Sequence, residues 1–90
     1  QLCKSQKYDA VVAIGCVIRG ETSHFDFVCS GVTQGITLCN TQTDTPTIFC
    51  LLTDDHKEQS IARSGGSLGN KGIEAGVTAL KMIDLRRQMK

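Results

Sequence analysis

Residues 9–18 read D-A-V-V-A-I-G-C-V-I, an unbroken apolar run rich in Val and Ile. Runs of this kind form strands buried on both faces, and such strands belong to parallel sheets covered by helices. The polar stretch Arg19-Gly20-Glu21-Thr22-Ser23 follows as a short loop. Beyond it, Phe25, Val28, Cys29, Val32, Ile36 and Cys39 fall at i, +3, +4, +7, +11 and +14, which predicts a helix with one apolar stripe. Gly31 and Gly35 weaken that helix intrinsically and are expected where another backbone comes close.

Residues 40–46 are turn-like, and residues 47–53 (T-I-F-C-L-L-T) read as a second buried strand. Asp55-His56-Lys57-Glu58 resembles a capping box, so a short helix ending near Arg63 is expected. Residues 64–72 (S-G-G-S-L-G-N-K-G) form a glycine-rich connector. A last helix is predicted over residues 70–87, with Arg86, Arg87 and Lys90 suited to the negative end of its dipole. Its apolar set, from Ile73 and Ala75 through Val77, Ala79 and Leu80 to Met82 and Ile83, is wider than one stripe. One side is therefore expected on the sheet and another on a partner.

The order strand, helix, strand, helix, helix is an α/β pattern with right-handed crossovers. Two strands would leave both sheet edges open. The expectation is thus the second half of a doubly wound domain, with no internal repeat.

Composition narrows the function classes. The 90 residues are 40% hydrophobic and 21% charged, ordinary globular usage. Ten Lys and Arg against nine Asp and Glu leave a formal charge of +1 with the signs mixed, which argues against a nucleic-acid partner. No apolar run approaches the ~20 residues of a membrane span, so no membrane partner is expected. The first seven residues lack the apolar centre of a signal peptide, and the absence of an initial Met suggests missing upstream sequence. Five cysteines form no CxxC pair and have only His24 and His56 beside them, so no metal site is expected. Free thiols in a reducing compartment fit better, with Cys16, Cys29 and Cys50 acting as small hydrophobes.

In open α/β sheets, ligands bind beyond the carboxyl ends of the strands. His24 opens the helix after the first strand, where an imidazole can move protons near pH 7 or simply bond to solvent or backbone. Asp26 could stabilise a charged imidazole, although the helix dipole explains it more simply. Gly20, Glu21 and Thr22 could offer backbone N–H groups and a hydroxyl to an anion, or form a turn whose N-cap is Thr22 or Ser23. Arg63 could hold phosphate through its planar fork or serve only as a dipole partner. Residues 65–72 match neither nucleotide-binding glycine motif. Lys71 and Glu74, three apart, read as a modest surface pair.

The segment G-C-V-I-R-G-E-T-S-H-F-D-F-V at residues 15–28 closely resembles the lumazine synthase family. The likeness continues through T-P-T-I-F-C-L-L-T at residues 45–53 and Q-S-I-A-R-S-G-G-S-L-G-N-K-G-I-E-A at residues 59–75. It spans essentially the whole chain. The resemblance implies the second half of a flavodoxin-like three-layer α/β/α domain with a parallel sheet. It also implies condensation of 5-amino-6-(D-ribitylamino)uracil with 3,4-dihydroxy-2-butanone 4-phosphate, without cofactor or metal, in riboflavin biosynthesis. Alternatives are a non-catalytic scaffold subunit of the same fold and a relative of archaeal-type riboflavin synthase.

By the same resemblance His24 is the proton-transfer residue, and Glu21 and Thr22 lie on the phosphate-side loop of the butanone substrate. Arg63 binds that phosphate, and Cys16, Val17 and Ile18 line the pyrimidine site. Phe49 is supplied to a neighbouring subunit's site, Glu74 orients Arg63, and Lys71 has a supporting place. Homo-oligomers are implied, as pentamers or sixty-subunit icosahedral shells, in the cytoplasm or, for a plant protein, the plastid. Ser67 stands where many relatives carry Lys, and Cys50 replaces a common Gly after Phe49. The family's upstream half, with the aromatic residue that stacks on the pyrimidine, is outside these residues. A fragment, or a half supplied by another polypeptide, is the expectation.

Overall fold

The computed structural model describes residues 1–89. Strand β1 (Val11–Ile18) runs parallel to β2 (Thr47–Asp54), in register from Val11 opposite Thr47 to Ile18 opposite Asp54. Helix α1 (His24–Gln42) makes the crossover between them. After β2 come α2 (Lys57–Ala62), an antiparallel hairpin of β3 (Ser64–Gly66) and β4 (Gly69–Asn70), and α3 (Lys71–Met89). The result is an α/β unit with helices on both sides of a parallel sheet, as in a flavodoxin-like layout.

Strand alternation puts Ile48, Cys50, Leu52 and Asp54 on one sheet face. Ile48 and Cys50 pack there with Ala75 and Ala79 of α3, and Ala10 and Val12 close the cluster. Small alanines let the helix lie close to the strands. On the opposite face, Val11 and Ala13 border an apolar crevice with Val32, Ile36 and Cys39 of α1. The predicted stripe is the face that α1 hides: Phe25 is buried and Val28, Cys29, Val32, Ile36 and Cys39 are half-buried, while every other α1 residue is exposed.

Several expectations change. The strand over residues 9–18 is not covered on both faces, since Ile14 is 81% exposed and Cys16 is also open. Among the described residues β1 pairs only with β2, so its outer edge is unpaired. Gly31 and Gly35 meet no close backbone, for a Cβ at either would have open space. The first helix continues through Asn40 to Gln42. Asn40 does not turn the chain; its Nδ2 donates to the Thr47 carbonyl at 2.9 Å and its Oδ1 accepts from the Thr47 N–H at 2.8 Å. The side-chain amide acts there as a substitute strand.

The start of α2 lies one residue later than the Asp55–Glu58 reading. Gln59 Oε1 accepts from the backbone N–H groups of Asp55 and His56, while the Asp55 side chain turns to Arg19. The glycine-rich connector is not a plain loop but the β3–β4 hairpin. Gly65 and Gly69 have φ of 105° and 91°, and a Cβ on Gly66 would meet the Ala62 Cα at 2.8 Å. Asn70 Oδ1 accepts from the Ile73 N–H at 3.0 Å and caps α3.

Helix α3 is apolar on two sides, as expected. Its inner side carries Ala75 and Ala79, whereas Ile73, Val77 and Leu80 form an exposed outer row. Arg86 and Arg87 occupy its last turn, and Lys90 lies outside the described residues. Among the described residues, no helix is long and apolar enough to cross a membrane. All five cysteines are free.

Candidate active site

Ile18 and Asp54 are register partners, so the segments that follow them leave the same edge of the sheet. The Arg19 N–H donates to the Asp54 carbonyl at 2.9 Å and keeps the two ends together. From β1 the chain enters the exposed loop holding Glu21 and Thr22, then α1 with His24 at its first position. Thr22 Oγ1 accepts from the His24 N–H at 3.3 Å, and the Ser23 carbonyl accepts from Asp26 and Phe27. Ser23 is the N-cap by position, yet Thr22 supplies the hydroxyl. His24 stands exposed at the start of α1, on the segment that leaves the carboxyl edge of the sheet.

Arg19 holds this loop. Its Nε donates to Asp55 Oδ1 at 2.6 Å, Nη1 lies 3.3 Å from Asp26 Oδ1, and the guanidinium sits 4.4 Å above the Phe25 ring. The Asp55 hydrogen bond, chiefly, raises the Arg19 pKa further. Asp26 therefore pairs with Arg19 in the first turn of α1, in addition to suiting the dipole.

Arg63 is fixed from several directions. Its N–H donates to the Gln59 carbonyl at 3.1 Å, and its carbonyl accepts from the Lys71 N–H at 2.7 Å. Its Nη1 donates to Asp54 Oδ1 at 2.7 Å, while Asp54 Oδ2 accepts from Ser60 Oγ at 2.8 Å. Cys16 Sγ reaches Ser60 Oγ at 3.4 Å and extends the chain of contacts to β1. The Asp54 side chain is only 8% exposed. The Ser60 hydrogen bond and, after the opposing effect of burial, the Arg63 contacts hold its carboxyl below the usual carboxylate range. Among the described residues, Nε and Nη2 of Arg63 donate to nothing. An arginine held by one nitrogen thus keeps a two-donor side for a planar or tetrahedral anion.

Phe49 and Glu74 lie elsewhere, and Lys71, although its N–H is bonded to the Arg63 carbonyl, borders the same place. They line a groove of about 880 Å³ along the free edge of β2, with Thr78, Met82 and Ile48. Phe49 is five residues before the end of β2, roughly 16 Å along the strand from the Asp54 end. Glu74 makes no ion pair with Arg63 among the described residues; Asp54 takes that place. Nor do Lys71 and Glu74 pair with each other.

Asp54, Ser60 and Arg19 were not singled out in the sequence. A signal for Asp54 was present: it falls in phase with Ile48, Cys50 and Leu52 on the covered face, and a carboxylate there needs a partner. Arg63 and Ser60 are the donors that meet this need.

Comparison with known proteins places this chain in a family. The profile of the 6,7-dimethyl-8-ribityllumazine synthase family matches residues 1–87. A protein named 6,7-dimethyl-8-ribityllumazine synthase from Flavobacterium johnsoniae is 60% identical over 88 residues, covering 98% of this chain and 46% of the relative. The protein of that name from Christiangramia forsetii is 65% identical over 82 residues, covering 91% and 49%. That from Bacteroides fragilis is 51% identical over 84 residues, covering 93% and 59%. The chain spans about half the length of the curated relatives it matches. With its strand-end histidine, its anchored arginine and a family profile matching nearly its full length, this chain belongs to the 6,7-dimethyl-8-ribityllumazine synthase family.

Proposed function

We propose that the chain carries part of an enzyme that condenses 5-amino-6-(D-ribitylamino)uracil with 3,4-dihydroxy-2-butanone 4-phosphate. The observation that carries this reading is Arg63, anchored to Asp54 through one nitrogen with its remaining donors unengaged. That arrangement suits a phosphate, and His24 stands on the loop leaving the same sheet edge.

The uracil amine attacks the ketone, and loss of water gives an imine. Removal of the C3 proton then expels phosphate from C4 and leaves an enol, which takes a proton on C4 and becomes a ketone at C3; the ribitylamino nitrogen closes the second ring on that carbon, and a second water departs. Arg63 and the N–H groups at the start of α1 offset the charge that builds on the departing phosphate. His24 takes and returns protons during imine formation and ring closure. Cys16, Val17 and Ile18 border the pyrimidine, with Glu21 and Thr22 on the phosphate-side loop. Holding two small substrates together supplies much of the acceleration. The reaction draws on no cofactor.

The distance of Phe49 from the strand end, with Glu74 unpaired to Arg63 among the described residues, supports a site completed between copies. Phe49 then enters the pocket of a neighbouring chain, in a pentamer or an icosahedral shell. The exposed row Ile73, Val77 and Leu80 supports such contacts. A cytoplasmic setting, or a plastid one in a plant, fits the free cysteines. The test is product analysis of the assembled protein with both substrates. Formation of 6,7-dimethyl-8-ribityllumazine supports the reading, and riboflavin formed from lumazine alone overturns it.

A further inference from the structure

We propose that Asp54 is a positioning residue for phosphate recognition: it holds the Arg63 guanidinium by Nη1 so that Nε and Nη2 face outward as a fixed pair of donors. The proposal rests on the reading of Arg63 as the phosphate ligand. It adds the residues that determine how that ligand is presented.

Three observations carry it. Asp54 ends β2 with both carboxylate oxygens engaged, one by Arg63 Nη1 at 2.7 Å and the other by Ser60 Oγ at 2.8 Å. The carboxylate is covered, whereas the Arg63 side chain is 34% exposed. A rigid, shielded anchor therefore holds a partly open cation. The backbone of Arg63 is also tied on both sides, to Gln59 and Lys71. With main chain and one nitrogen fixed, little rotamer freedom is left to lose when an anion arrives.

Ser60 has a definite part. It is buried, and its hydroxyl donates to Asp54 Oδ2, which directs Oδ1 toward Arg63. The Cys16 thiol, 3.4 Å from Ser60 Oγ, steadies that hydroxyl from β1.

Asp54 exerts two opposed effects on a phosphate bound at Arg63. Its negative charge weakens attraction, and its grip on Nη1 strengthens binding by orienting the fork. The grip outweighs the charge, because the Asp54 carboxylate is balanced by direct contact with Arg63 while the Ser60 hydroxyl hydrogen-bonds its other oxygen. An isosteric amide separates the two effects: Asp54→Asn removes the charge but keeps an oxygen able to accept from Nη1.

The test is steady-state kinetics on the assembled, active protein, with the two substrates varied separately. Asp54→Ala is expected to raise the KM for 3,4-dihydroxy-2-butanone 4-phosphate about tenfold and leave the KM for the ribitylaminouracil nearly unchanged. Asp54→Asn is expected to restore most of that loss, and Ser60→Ala to give a smaller rise on the same substrate. In an Arg63→Lys background, which lacks the fork, Asp54→Ala should add little. An equal rise in both KM values would overturn the proposal, as would the same effect of Asp54→Ala in both backgrounds. Tighter phosphate-substrate binding in Asp54→Asn and Asp54→Ala would do so too, by making charge the dominant effect. If Arg63→Lys alone leaves the KM for the phosphate substrate unchanged, the functional reading of Arg63 fails first, and the positioning role fails with it.

Discussion

Arg19 Nε donates to Asp55 Oδ1 at 2.6 Å and so joins the residue after β1 to the residue after β2. The same guanidinium covers Phe25 and approaches Asp26. The loop carrying Glu21 and Thr22 is thereby tied to the second strand end. Arg19→Ala is expected to lower kcat/KM by up to about 10²-fold, the scale of loss for a misplaced catalytic group. Fold and assembly should be retained, because the contacts are largely exposed. Circular dichroism with steady-state kinetics checks this, and unchanged kinetics would show that the loop is held by other means.

His24→Ala is expected to slow turnover while leaving assembly intact. A positioned acid or base contributes about 10²–10⁴-fold, and the low end applies where proximity preserves residual reaction. Turnover measured on a correctly assembled variant decides the point. No change would remove His24 from the mechanism.

Arg63→Lys is expected to weaken the phosphate substrate selectively. A planar fork becomes one point charge, and a hydrogen bond to a charged group is worth roughly 1.5–3 kcal/mol. Separate KM values for the two substrates test it, since a folding defect would move both.

The periodicities that announce a covered face were legible. Phe25, Val28, Cys29, Val32, Ile36 and Cys39 mark the hidden side of α1 because a helix can bury only one stripe on a sheet. Residues 47–53 were legible as a strand for a similar reason, being apolar on both sides. What escaped were side chains whose role is set by a distant partner. Asp54 belongs to the strand only when Arg63 and Ser60 meet it, nine and six residues on. Asp55 reads as a local cap, but Arg19 lies 36 residues away in sequence and draws it off. The β3–β4 hairpin escaped because its two strands total five residues, too few for an alternation to show.

The open flank of β1 gives a further expectation. Ile14 and Cys16 are exposed along a strand whose outer edge is unpaired among the described residues. Such an edge invites non-specific pairing. Expressed by themselves, these ninety residues should self-associate and show weak amide protection along β1. A polypeptide corresponding to the other half of the relatives, added in trans, should restore protection. A monodisperse, cooperatively melting monomer would contradict this.

In the proposed reaction an arginine-held phosphate and a histidine-shuttled proton serve a single condensation. The direct measurement is the ratio of inorganic phosphate released to 6,7-dimethyl-8-ribityllumazine formed over one progress curve with both substrates present. A ratio of one is expected, with neither product formed when either substrate is omitted. Phosphate release without lumazine, or no release of phosphate by the assembled protein, would contradict it.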